Sequence, residues 1–247
     1  MTAVVALTER QVRKAFHNLD IVFAVVAPIL TFVGFTIALR SVIDTGGISY
    51  PQYVLPAVVV QAMLFGALNT TDMTAEEHSS ELGARMRTLP ISLYSPMLAR
   101  MSYCLIRGSL ALIAAFAVAY PFGFRMDGGP VFGVLFVLLA LTLTLALSCG
   151  AEATGARAKR SDTSSQLLLI PQLLLVSLST GLAPADSFPT WVQPFVEYQP
   201  ISQITETLRG FASGEVVASN LAITLAWCIG LLVVFGYFAL QGQQRQR

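Results

Sequence analysis

Two histidines, His17 and His78, three cysteines, Cys104, Cys149 and Cys228, and fourteen carboxylates are the groups this chain offers for catalysis or metal binding. An intramembrane protease or a lipid transferase would need histidine, paired acids or a Ser/His set inside a greasy segment. Both histidines lie outside the apolar runs, and no such run holds an Asp pair. The cysteines are odd in number, and their spacing matches no metal or disulfide pattern. Each sits in or beside an apolar run, where cysteine behaves as a small hydrophobe. No GxxxxGK[ST] phosphate loop occurs, so the chain does not itself bind ATP in the P-loop manner. Covalent chemistry is therefore a poor fit, and what remains is binding and movement.

Polar residues concentrate in one stretch, Thr74 to Arg107, reading TAEEHSSELGARMRTLPISLYSPMLARMSYCLIR. Thr74 with Glu77 three residues on is a capping box and predicts a helix from Ala75. Leu82, Met86 and Leu89 make an apolar stripe on it. Glu77, Glu81 and Arg85 make a charged one, with Glu81 and Arg85 in the favourable i, i+4 order. Pro90 ends the helix at Leu89. Ser95 as cap and Pro96 at the first helical position start another that runs on into an apolar span. Arg100 and Arg107, two turns apart on one face, are expected to snorkel toward the inner interface. Two readings stand side by side: a solvated connection between spans, or a docking surface for a soluble partner.

The elements around that stretch follow from composition. The chain has 247 residues, 55% hydrophobic and 12% charged, half the charge of about 25% that a soluble domain carries. Net charge is +1, which gives no electrostatic case for nucleic acid. The fold class is an all-α membrane protein, one domain over residues 1–247. Six transmembrane helices are expected at about 21–39, 53–71, 101–120, 131–150, 166–183 and 220–240. Each is near the ~20 apolar residues that cross a ~30 Å hydrocarbon core. Gln166, Pro171, Gln172 and Ser177 interrupt the fifth. Pro28 and Pro56 inside the first two imply a packed bundle whose neighbours satisfy freed carbonyls.

Residues 4–19 precede the first span as an amphipathic helix. Arg10, Arg13, Lys14 and His17 form one face; Val5, Val12, Phe16 and Leu19 form the other. That pattern suits a helix lying in the headgroup layer of the membrane lipid. Because its charges follow its apolar residues, the order is not that of a cleaved signal, and the first span is expected to stay in the mature protein. With the N-terminus inside, all of the 15 Lys and Arg except Arg40, Arg125 and Arg209 fall on the cytoplasmic side, which places both termini there.

Residues 184–219 are broken by Pro184, Pro189, Pro194 and Pro200, which forbid one continuous helix. Trp191, Phe195 and Tyr198 are of the aromatic types that settle at headgroup level. Beyond Ile201, Ile204, Leu208 and Phe211 make a stripe opposite Gln203, Glu206 and Arg209. One or two short helices at the outer interface, or dipping into it, are expected. Glu197 and Arg209 read as surface charges in a wet loop. Glu152 either lies within the hydrocarbon, where it would need a partner, or joins the cytoplasmic loop with Arg157, Lys159 and Arg160. No internal repeat is visible, and the GxxxG spacings at Gly129…Gly133 and Gly210…Gly214 fit turn chemistry better than helix dimerisation.

The run ELGARMRTLPIS…LAR resembles the motif between the second and third spans of ABC type-2 permeases, the daunorubicin-resistance-like export subunits. Glu81, Gly83, Arg87 and Pro90 stand at its acidic, glycine, basic and proline positions. YPQYVLPAVVVQAMLFG, with Tyr53, Pro56 and Gly66, resembles the family's second span. FPTWVQPFVEYQPISQITETLRG resembles the segment after its fifth, through Pro189, Trp191, Pro200 and Arg209. Gln199 stands where the family has asparagine, and STGL places Thr180 within its usual Ser-Gly.

The resemblance implies a permease subunit, not an enzyme, of an ATP-driven exporter in a bacterial plasma membrane. Its substrate would be a hydrophobic or amphipathic drug, lipid or glycolipid. It implies a coupling helix formed by Glu77, Glu81, Leu82, Gly83, Arg85, Met86, Arg87 and Pro90. Exit-side helices would contain Pro189, Trp191, Phe195, Pro200 and Arg209. It further implies ATP and Mg on a separate ATP-binding subunit, and a second six-span subunit, identical or homologous. An ion-gradient transporter is the alternative; repeated halves and charged midplane sites would mark it, and neither is seen.

Overall fold

The computed structural model describes residues 2–43, 47–79, 92, 94–157 and 161–244, and these are helical with connecting turns. We number the helices α1 (Thr2–His17), α2 (Asp20–Leu39), α3 (Tyr50–Ser79), α4 (Ser95–Ala119), α5 (Gly129–Gly155), α6 (Ser161–Ser177), α7 (Gln193–Tyr198), α8 (Pro200–Ser213) and α9 (Ala218–Gln244). Five of them, α2, α3, α4, α5 and α9, are long and apolar enough to cross a membrane.

α3 is the hub. It packs against α2, α4, α5, α6 and α8, and α5 in turn packs against α9. Burial follows that order: 61% of the α3 apolar window is buried, against 11% for α9. The buried apolar core joins Phe32, Val54, Leu55, Val58, Met63, Phe136 and Leu208. Outward faces stay greasy, as with Val131, Val134 and Leu138 on α5 and Ile229, Val233 and Tyr237 on α9. A bundle apolar on both its inner and outer surfaces is what a lipid solvent requires.

Glycines allow the closest approaches. A Cβ at Gly155 would stand 2.6 Å from the Thr71 carbonyl oxygen, and one at Gly150 would stand 2.7 Å from the Phe235 ring. These positions let α5 approach α3 and α9. At the opposite end, Gly214 closes α8 at φ 84° and Gly128 sits against it, with the Asp127 and Gly128 amides donating to the Ala212 carbonyl at 2.9 and 3.1 Å. The glycines at that end thus serve a turn and a close contact, as their position outside the spans implies.

Four sequence expectations change. The helix expected to begin at Ala75 does not begin there, because α3 runs unbroken from Tyr50 to Ser79 with Thr74 inside it. Nothing between Thr71 and Ser79 breaks a helix, and Thr74 uses its hydroxyl elsewhere. Ser95 is the first residue of α4, with Tyr94 as N-cap and no side-chain cap bond. The expected span at 166–183 is helical only to Ser177, and its apolar helical part, Leu168–Ser177, covers about 15 Å at 1.5 Å per residue. Ser179, Thr180 and Gly181 follow in a buried turn.

The fourth change concerns α8. Both its apolar stripe and its polar positions Gln203 and Arg209 are buried, so it is inserted into the bundle and does not lie on it.

α1 packs on α4 and α2. Leu19 (φ 60°) makes the left-handed joint between α1 and α2. The expected apolar face is divided: Val12 packs with Ala15, Ile21 and Tyr103, while Val5, Phe16 and Leu19 remain exposed beside the exposed Arg10, Arg13 and His17.

Candidate functional site

Where α3 ends, α4 begins and α5 ends, one guanidinium is sealed between two carboxylates. Arg100, 2% exposed, donates from Nε to Glu152 Oε2 at 2.9 Å and from Nη2 to Glu152 Oε1, while its Nη1 donates to Glu77 Oε2. Thr74 Oγ1 donates to Glu152 Oε2 at 2.9 Å. The fork of Arg matches the two oxygens of Glu152, a geometry that adds direction as well as strength. α3 supplies Thr74 and Glu77, α4 Arg100 and α5 Glu152, so three helix ends are joined by side chains. Two looser contacts flank them: Lys14 with Glu76 at 2.7 Å, and the Arg157 guanidinium over the Phe238 ring at 5.6 Å.

One step further into the bundle, Asp20 at the start of α2 gathers Tyr103, Asn69 and Arg107. The Tyr103 hydroxyl donates to Asp20 Oδ2, Asn69 Nδ2 donates to the same oxygen at 2.9 Å, and Arg107 Nε reaches Oδ1 at 3.4 Å. Arg100 and Arg107 therefore do not snorkel to the interface. Each finds its carboxylate on a neighbouring helix, because a buried charge without a partner is costly.

A third polar knot lies near the start of α3. Arg209 of α8 stacks on the Tyr53 ring with Cζ 3.7 Å from its centroid. Its Nη2 donates to the carbonyls of Tyr53 at 3.1 Å and Thr180 at 3.3 Å, and Nη1 to Glu206 at 2.6 Å. The Tyr53 hydroxyl donates to the Thr180 carbonyl at 2.6 Å. Gln199 donates to the Leu178 carbonyl and, at 3.2 Å, to Ser202 Oγ. Arg209 is thus a buried strut, against its reading as a surface charge.

Comparison with known proteins gives these knots a setting. The family model described as "ABC-2 family transporter protein" matches residues 35–240. Similar proteins include the doxorubicin resistance ABC transporter permease protein DrrB of Mycobacterium tuberculosis, 31% identical over 242 residues that cover 92% of this chain and 84% of that protein. The probable doxorubicin resistance ABC transporter permease protein DrrC of the same organism is 27% identical, covering 90% of this chain and 80% of its own length. The daunorubicin resistance ABC transporter permease protein DrrB1 of Streptomyces coeruleorubidus is 24% identical over 85% of this chain and 75% of that protein.

The chain belongs to the ABC-2 transporter family.

Of the expected coupling residues of this ABC-2 protein, Glu77 alone is described, and it faces inward on Arg100 with its side chain 10% exposed. Glu81, Leu82, Gly83, Arg85, Met86, Arg87 and Pro90 lie outside the described residues, as do Lys159 and Arg160. On the far side, Trp191 is 83% exposed and Phe195 51%, Pro189 lies in the turn before α7, and Pro200 opens α8. The structure brings Arg209 together with Tyr53 and leaves Trp191, Phe195 and Glu197 at the surface.

Sequence reasoning marked Glu152 as needing a partner but did not find Arg100, 52 residues earlier in the chain. Asp20 was missed as a centre. The signal available for both was an ionisable residue within or bordering a greasy run, which calls for a mate of opposite charge.

Proposed function

We propose that this ABC-2 protein is the membrane-spanning subunit of an ATP-driven exporter of hydrophobic or amphipathic molecules, drugs of the doxorubicin type among them. ATP and Mg are bound by a separate subunit, and a second six-span subunit, identical or homologous, completes the pathway. α6 with its buried turn makes the sixth crossing, the α1 end and both termini face the cytoplasm of a bacterial cell, and α7 and α8 lie on the exit side. The segment from Glu77 to Pro90 receives the partner's motion.

The observation that carries this reading is the continuity of α3. It runs without a break from Tyr50 to Ser79, two residues before the Glu81, Gly83, Arg87, Pro90 motif in the sequence, and Arg100 fastens that end to α4 and α5. A push on the Ser79 end of α3 would therefore move three helix ends together. The named substrates of the similar permeases DrrB, DrrC and DrrB1 support the drug class.

The test is to purify the chain with the products of its genomic neighbours, identify an ATPase subunit that stays bound, and measure ATP-driven doxorubicin flux into inverted vesicles. Glu81→Arg and the pair Leu82→Ala with Met86→Ala are expected to weaken the association and abolish flux. Unaltered flux in both would remove the coupling role. Flux driven by an ion gradient with no ATPase bound would make the chain a secondary transporter.

A further inference from the structure

A partly open cleft of about 300 Å³ runs between α2, α3 and α4, walled by Ala27, Pro28 and Thr31, by Gln61 and Phe65, and by Arg107. Most of its lining is apolar, as a ligand site in a bilayer would be, but two polar side chains in it are left incomplete. Arg107 is 8% exposed, and among the described residues its one hydrogen bond is from Nε to Asp20, so Nη1 and Nη2 donate to none of them. Gln61 Oε1 is buried and accepts no hydrogen bond from the described residues. Leaving a buried amide oxygen unused is costly unless something else uses it, and the two guanidinium nitrogens, which are not sealed off, are available to the same occupant. Room for the guanidinium is made by Gly66, where a Cβ would stand 3.0 Å from Nη1.

We infer that this cleft binds one end of the exported amphiphile, and that the ligand carries oxygen acceptors and a hydroxyl or amine donor along a rigid apolar body. The inference rests on the export reading and names a site and a substrate chemistry for it. Gly66 and Gln61 are five residues apart on α3, so the Arg107 and Gln61 levels differ by about 7.5 Å. A diacyl phospholipid with its head at Arg107 would lay hydrocarbon against Gln61 and leave that oxygen unpaired. A planar polycyclic quinone bearing hydroxyls presents an acceptor to the guanidinium and, one or two rings away, a donor to the amide. From Asp20 to Thr31, α2 rises about 16 Å, half of a ~30 Å core, so the cleft spans the leaflet on the α1 side. The 300 Å³ includes the cleft's open mouth, so the walls can seat one edge of such a molecule while the remainder lies in lipid.

The chain in phosphatidylcholine nanodiscs is titrated with doxorubicin, bound ligand being read from its fluorescence polarisation. Saturable binding is expected, weakened about tenfold or more by Gln61→Leu, which removes the amide, and by Ala27→Phe, which fills the cleft. Neither side chain carries a structural ion pair, and thermal unfolding checks each fold. Arg107→Lys is expected to weaken binding too, but its bond to Asp20 makes it the less clean variant. No saturable binding, or equal binding by wild type, Gln61→Leu and Ala27→Phe, overturns the inference. So does complete displacement by phosphatidylglycerol with Gln61→Leu indifferent, which would mark a lipid site. ATP-driven flux that survives both variants removes the cleft from transport but leaves the permease reading intact. Absence of ATP-driven flux in the wild-type complex removes that reading instead, whatever the cleft binds.

Discussion

Arg100 and Arg209 are both buried, at opposite ends of the same hub helix. Tyr53 and Thr74, which mark those ends, are about 30 Å apart along α3. They are held by different means. Arg100 is matched by full carboxylates from two other helices, so each side chain in the knot depends on the rest. Arg209 leans on backbone carbonyls, an aromatic face and the partly exposed Glu206, none of which becomes a stranded buried charge if it leaves. The α8 end also keeps unspent polarity: the hydroxyls of Tyr50 and Thr180 and the Oε1 atoms of Gln199 and Gln203 have no partner among the described residues. The difference suggests a division of labour. The α1 end is built as one interlocked block, and the α8 end is held by bonds that can be exchanged singly.

The largest effect expected from breaking this contrast is at Arg100. Arg100→Met takes the guanidinium from both Glu152 and Glu77 and should cost about 3–5 kcal/mol, read as a large fall in thermal unfolding temperature in detergent. Adding Glu152→Gln should recover part of it, because the fully buried charge is then gone while Glu77, with its side chain 10% exposed, stays charged. Arg209→Met should cost less, about 1–3 kcal/mol. Arg209→Lys should restore little, since an ammonium cannot stack on Tyr53 and reach two carbonyls at once. A larger loss at Arg209 than at Arg100 would reverse the comparison.

Gly155→Val tests the packing that brings the α1-end block together. Its Cβ has 2.6 Å to the Thr71 oxygen, and overpacking of this kind costs about 1–3 kcal/mol. The expected readout is partial loss of stability with weakening of the Thr74–Glu152 contact. The smallest effect is at Lys14→Ala. Its bond to Glu76 joins side chains 40% and 57% exposed, and such pairs contribute about 0–1 kcal/mol. Unfolding should barely change, showing that the block is closed by Arg100 and not by the surface pair beside it.

Much of the bundle was legible in the sequence because hydrocarbon imposes a length and a composition on anything that crosses it. The expected spans at 21–39 and 220–240 fall within α2 and α9, and those at 53–71 and 131–150 within α3 and α5. The expectation failed where a local signal competed with packing. Thr74 with Glu77 has the spacing of a cap, but the same hydroxyl and carboxylate are used by Glu152 and Arg100 from other helices, and the helix continues. Ser177 and Thr180 sit in a greasy run whose periodicity does not show that the helix stops at Ser177.

Partners were the least legible feature. Arg209 meets Tyr53 across 156 positions and Arg107 meets Asp20 across 87, and nothing in a local window of one chain encodes such a meeting. Charge in a greasy segment announces that a partner exists; only the fold says which.

The central claim is that the block around Arg100 carries motion from a nucleotide-binding partner into the bundle. The most direct measurement is doxorubicin transported per ATP hydrolysed by the reconstituted complex, wild type against the neutral triple variant Glu77→Gln, Arg100→Gln, Glu152→Gln. That variant keeps side-chain size at positions 77 and 152, shortens the side chain at position 100, and removes the charge lock. The account predicts a folded, partner-bound complex that still hydrolyses ATP but moves at least about tenfold less drug per ATP. An unchanged ratio would contradict it.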